Sequence, residues 1–130
     1  MVRILVAVVL AGHGLIHLMG FVSLWRLATI EQVPYGTTIL SGAIDIGDGG
    51  VRIVGLVWAL AAALFVVSAW TVWRGSRSAL GIVTVSAVVS LIVCIVGLPG
   101  SEVGVLVNVV ILAAVVVRTR IGPSTPLVYR

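Results

Sequence analysis

Residues 10–21 read LAGHGLIHLMGF, from Leu10 to Phe21, and hold both histidines of the chain, His13 and His17. They lie inside an otherwise apolar run from Ile4 to Trp25, about 22 residues long. A helix rises about 1.5 Å per residue, so this run crosses the roughly 30 Å hydrocarbon core of a bilayer. The two imidazoles then sit deep in the membrane, where ionisable side chains are rare and mark function by default. At i and i+4 they project from one face, one turn apart. Gly20 continues the stripe and lets a second helix approach closely.

The rest of the chain has the same character. Of its 130 residues 61% are hydrophobic and 9% charged, which is the composition of a bundle of membrane helices and not of a water-soluble domain. The single cysteine, Cys94, excludes an intramolecular disulfide and a CxxC redox pair. The net charge of +4 comes from Arg residues scattered along the sequence, without a basic run or aromatic-interleaved patch, so nucleic acid is not an expected partner. All eight basic residues are Arg. With the excess of Val, Ala and Gly, that points to a GC-rich bacterial genome. Arg3 ahead of an apolar run raises the question of a signal peptide, but the run is long and ends at Trp25-Arg26 without a small-residue cleavage site, so it reads as an uncleaved helix.

Four membrane helices follow from the hydropathy, at about 4–25, 51–73, 79–98 and 102–118. The fold class is an all-α integral membrane four-helix bundle, one domain over 1–118 with a polar tail over 119–130. The one long connection, 27–50, carries two turn signals, Pro34-Tyr35-Gly36 and Gly47-Asp48-Gly49-Gly50. Between them TTILSGAIDI (37–46) either lies on the membrane surface or folds back over the helix ends. Asp48 is placed to cap the second helix, whose Gly55, Ala59, Ala62, Ala63 and Val66 form a face of mostly small residues for packing. Glu31, Asp45 and Asp48 lack the EF-hand spacing and serve as caps and surface charge. If the N-terminus is cytoplasmic, Arg3, Arg74, Arg77, Arg118, Arg120 and Arg130 lie inside, and only Arg26 and Arg52 lie outside with all four acids. That bias places both termini of a multi-pass protein in the cytoplasm.

Depth along antiparallel helices then groups the buried polar residues. Counted from the cytoplasmic ends, His17 lies about 20 Å in and Ser90 and Cys94 about 17 and 22 Å in, with Asn108 at similar depth and His13 one turn below. The cost of an unpaired polar group in lipid argues that these residues face one another. Ser86, Ser90 and Cys94 share one stripe and read as packing glue; Asn108 is balanced between glue and site; the histidine pair reads as functional. As ligands, His13, His17, Asn108, Ser90 and Cys94 suit a quinone headgroup best, since its carbonyl accepts from an imidazole N–H. Haem held by both histidines is disfavoured, because two residues one turn apart on one helix cannot reach opposite faces of a porphyrin. A metal lacks a clear further ligand beyond two nitrogens and a sulfur.

RILVAVVLAGHGLIHLMGF (3–21) resembles the opening of DoxX-like membrane proteins, where an Arg leads into an apolar helix with an H-G-x-x-K-L-x-G-like signature. His13, Gly14, Leu18 and Gly20 occupy matching places, and His17 stands where that family commonly has Lys. GDGGVRIVGLVWALAAAL (47–64) looks like its glycine-marked second helix. The resemblance implies a four-helix bacterial inner-membrane protein tied to membrane oxidoreductase systems, among them a thiosulfate:quinone oxidoreductase subunit and complexes that handle thiol or oxidative stress. Two functions stay open: a membrane subunit of a quinone- or thiol-linked redox complex, or a non-enzymatic scaffold whose histidines are interhelical glue. A stand-alone enzyme is the lesser expectation. A transporter lacks the inverted repeat it needs. So small a bundle is expected to self-associate or to join a larger membrane complex.

Overall fold

The computed structural model describes residues 1–121. Four helices, α1 (Val2–Leu24), α2 (Gly47–Arg74), α3 (Ala79–Val96) and α4 (Glu102–Ile121), run antiparallel in sequence order. Each is long and apolar enough to cross a membrane. A two-stranded hairpin, β1 (Thr38–Ile39) paired with β2 (Ile44–Asp45), sits in the connection between α1 and α2. The fold is an all-α membrane four-helix bundle with this hairpin at one end.

The helix ends differ from the hydropathy limits for local reasons. α1 stops at Leu24, because Arg26 turns left-handed (φ 56°) and the Leu27 amide returns to the Val22 carbonyl at 2.9 Å, closing the last turn. α2 starts earlier than 51. Asp48 is inside its first turn and not at the cap, which is Ile46; the expected Asp48 cap is therefore corrected. Asp45 instead accepts the Gly47 amide at 3.0 Å, and Asp48 meets the positive end of the helix dipole. α3 ends at Val96 and not at 98, since the carbonyls of Val96 and Leu98 accept from the Leu40 and Ser41 amides at 3.0 and 2.6 Å. α4 continues to Ile121, so 119–121 are helical; the remaining residues of the expected tail lie outside the described residues.

Of the two alternatives for 37–46, folding back over the helix ends is the one adopted. The Ala43 amide bonds to the Leu40 carbonyl at 3.2 Å, and Ser41 and Gly42 both have positive φ, 58° and 84°, which is the geometry of a type I′ hairpin turn. The two bonds to Val96 and Leu98 then pin the tip onto the end of α3.

In lipid the apolar faces gain nothing by hiding from one another, so close van der Waals fit must hold the helices. The stripe Leu10, His13, Gly14, His17, Gly20 and Ser23 is the buried face of α1. At Gly14 a Cβ would come within 2.7 Å of the Phe65 Cβ, and at Gly20 it would overlap the Trp58 indole. α2 buries Val51, Gly55, Trp58, Ala61, Ala62, Phe65, Ser68 and Ala69. The expected small-residue face is thus only half right, because Ala63 and Val66 are exposed. The bulky rings of α2 fill the gaps that the α1 glycines leave, and this fit selects the face. α4 is the least covered helix, with Asn108 its one buried residue among those described.

Two outcomes follow from this packing. Gly14→Val should lower resistance to SDS unfolding by about 1–3 kcal/mol, the usual cost of an overpacked contact; unchanged unfolding would refute the α1–α2 fit. The Gly47 amide bond holds the Asp45 carboxyl below its ordinary value of 3.8. A depressed folded-state value gives stability that is present above about 3.8 and lost as pH falls through the lower folded value. The protection of the Gly47 amide, measured against its intrinsic exchange rate, should therefore fall in acid, and Asp45→Asn should remove that pH dependence.

Candidate functional site: a buried histidine–serine–asparagine layer

The five residues singled out in the sequence occupy one region of the bundle interior. His17 is 1% exposed, Cys94 1%, and Ser90 and Asn108 0%, with His13 at 8%. They come from α1, α3 and α4, while α2 supplies the aromatic wall.

The hydrogen-bond directions can be assigned from chemistry. His17 Nδ1 lies 2.9 Å from the His13 carbonyl oxygen, which can only accept, so Nδ1–H donates. With one proton on the ring, His17 Nε2 is then an acceptor, and the Ser90 hydroxyl 2.5 Å away donates to it. Ser90 Oγ in turn accepts from Asn108 Nδ2 at 2.6 Å. The second Asn108 N–H donates to the Gly104 carbonyl at 2.8 Å, which fixes which end of the amide carries nitrogen. Cys94 Sγ sits at the margin, 3.8 Å from Asn108 Nδ2 and 4.0 Å from Ser90 Oγ. A directed chain therefore runs from Asn108 through Ser90 to His17 and on to the backbone of His13, crossing three helices.

Two polar atoms of this layer stay unpaired, His13 Nε2 and Asn108 Oδ1. An N–H on His13 Nε2 would complement the Asn108 carbonyl. One more bond would complete the layer.

The rings around it are residues the sequence reading passed over. Phe65 meets His13 edge-on with centroids 4.8 Å apart, and Trp58 lies 5.2 Å from His17. Both sit in an unbroken apolar run and carry no polar signal; their spacing from each other, seven residues on one helix face, was the available clue. A second polar pair, Ser68 with Ser86 at 2.8 Å, joins α2 to α3 one layer nearer the Arg-bearing ends, and Ser86 also donates to its own helix at Ile82. Among the described residues no group of three His, Cys, Asp or Glu side chains converges as a metal site.

Ser90→Ala removes the bridge and leaves His17 Nε2 and one Asn108 N–H without partners in a dry interior. The expected loss is about 1–3 kcal/mol in SDS or thermal unfolding. Thr84→Ala on the same helix, whose hydroxyl bonds only to its own Leu80 carbonyl, should cost less than about 0.5 kcal/mol. Equal effects at the two positions would refute the layer as a structural link. Compared with known proteins, the chain matches no family model, no curated protein and no solved structure.

Proposed function

We propose that the chain is a small accessory subunit of a membrane protein complex in a bacterial cytoplasmic membrane, DoxX-like in kind, and not a stand-alone enzyme. The observation that carries this reading is the use made of His17. Both its ring nitrogens are engaged in bonds internal to the bundle, one to α1 and one to α3. An imidazole tied on both sides can act only through the hydroxyl it holds, which needs an open cavity at that hydroxyl, and Ser90 is fully buried. The layer also lines neither the cavity at the hairpin end nor the groove between Ile4, Val8, Val66 and Trp70 at the other end. The polar layer holds helices in register, and the outward apolar face of α4 (Val103, Leu106, Val110 and Val117 all exposed) is left for lipid or for helices of another protein.

Orientation rests on charge. Among the described residues Arg3, Arg74, Arg77, Arg118 and Arg120 lie at or beyond one set of helix ends, while Glu31, Asp45, Asp48 and Glu102 lie at the other. The positive-inside bias puts the first set in the cytoplasm.

A second reading, a redox subunit linked to quinone or thiol chemistry, draws on the unpaired His13 Nε2 and on the Cys94 thiol beside Ser90. An imidazole N–H at His13 suits a quinone carbonyl, with Asn108 as the neighbouring amide.

The two readings part in one experiment. Purified from native membranes in mild detergent, the chain should bring down other membrane subunits in fixed ratio. His13→Leu should leave that ratio unchanged, and His17→Leu should weaken it only as far as it weakens the fold. A monomer carrying lipid alone would overturn the accessory-subunit reading. Loss of a bound quinone or of a redox phenotype in His13→Leu, with assembly intact, would favour the second.

A further inference from the structure

The hairpin that folds back over the helix ends does not close flat against them. Beneath it is a cavity of about 280 Å³, bounded by the hairpin and the 32–36 turn on one side and by the ends of α1, α2 and α3 on the other. Trp58 is one of its walls. The indole is 8% exposed and packs its other side against His17 and Gly20. Its Nε1–H donates to nothing among the described residues, and it is not among the polar atoms sealed off from solvent. The residue is nine-tenths buried while its N–H stays open, so the donor is free for an acceptor on a molecule bound in the cavity.

The rest of the lining defines what that acceptor belongs to. Leu24, Val51, Val54 and Ile39 make the cavity largely apolar, and Gln32 and Thr38 add polar residues to the lining. Among the described residues no Asp, Glu, Arg or Lys lines it. Of the charges at this end of the bundle, Arg26 pairs with Asp48 at 3.2 Å and lies 4.0 Å above the Tyr35 ring, and the Tyr35 hydroxyl donates to the same Asp48 carboxylate. That bond to Asp48 raises the Tyr35 value above its usual 10, so the phenol stays neutral in ordinary buffers. An ionic ligand would meet no charged side chain in the lining. The volume is close to the lower end of ordinary small-molecule pockets and suits a single ring. An indole wall favours a flat ring laid on or against it.

We propose that the cavity beneath the hairpin binds an uncharged, ring-sized amphipathic molecule that enters from the hairpin face of the membrane and offers an oxygen acceptor to the Trp58 N–H. The hairpin is its cover, held down by the two amide bonds from Leu40 and Ser41 to the end of α3. Because Trp58 also touches His17, occupancy on one side of the indole is felt by the polar layer on the other. This site stands apart from the accessory-subunit reading and does not depend on it.

The test uses 4-bromobenzyl alcohol, a neutral ring with one hydroxyl whose bromine quenches tryptophan at contact, and 4-bromobenzoate as its charged counterpart. In detergent-solubilised chain with Trp25, Trp70 and Trp73 replaced by Phe, the alcohol should quench Trp58 emission saturably and the benzoate at least tenfold more weakly. Val54→Phe or Thr38→Phe, each filling the cavity, should abolish the saturable part while circular dichroism stays helical. Ligand-observed saturation-transfer NMR on the unsubstituted chain checks the result without the Phe replacements. There Trp58→Phe, which keeps a ring but removes the N–H, should weaken binding about 3- to 10-fold, the effect of one hydrogen bond. Quenching that rises linearly without saturation, or that is equal in Val54→Phe and Thr38→Phe, means simple partition into detergent and overturns the proposal. Equal binding of the alcohol and the benzoate overturns it as well.

Discussion

Ser90 has one hydroxyl, and three helices meet on it. Within hydrocarbon no water is available to pair a stray donor or acceptor, so each polar side chain in the interior must find its partner in another helix or in its own backbone. Ser90 Oγ satisfies His17 and Asn108 together, giving its proton to one and accepting from the other. The rotation of α1 about its axis, the depth of α4 and the register of α3 are thereby fixed against one another. Apolar packing alone would leave those freedoms loosely set, since one leucine face against lipid is worth much the same as another.

The aromatic wall of α2 and the glycines of α1 complete the arrangement by shape and not by polarity. Gly14 and Gly20 open two notches that Phe65 and Trp58 occupy, and the histidine stripe runs between the notches. The rings keep water from the layer, which makes each bond inside it stronger and each unpaired atom more costly. The two atoms left without partners, His13 Nε2 and Asn108 Oδ1, are therefore the strained point of an otherwise satisfied interior.

Much of this was legible in the sequence because membrane helices are simple to measure. Arg and Trp mark where spans begin and end, the rise per residue then gives depth, and His17, Ser90, Cys94 and Asn108 fell at one level on that scale before any contact was known. What could not be read was which way α2 faces. Its small residues surround the helix, and the choice of Ala62 over Ala63 or Val66 is made by the notches on α1, a property of two helices together. The Asp48 cap failed because Asp45, one turn of chain earlier, was nearer to the first free amide. The hairpin was hidden in a stretch whose Ser41-Gly42 pair is a turn signal only if the flanking residues are taken as strands.

α4 meets the bundle chiefly along α3 and leaves its other faces open. Its one deeply buried side chain is Asn108, and the close approach beside it is at Gly104, where a Cβ would meet the Cys94 sulfur at 2.7 Å. Asn108 carries the side-chain hydrogen bonds of α4 to another helix, while Val105, Ile111, Leu112 and Val115 give it apolar contact with the core. The histidine pair, the aromatic wall and the hairpin all belong to the chain ahead of α4, and Asn108 is what ties the last span to them. Without the Asn108 amide, Ser90 Oγ would lose its donor and α4 would be held by apolar contact alone.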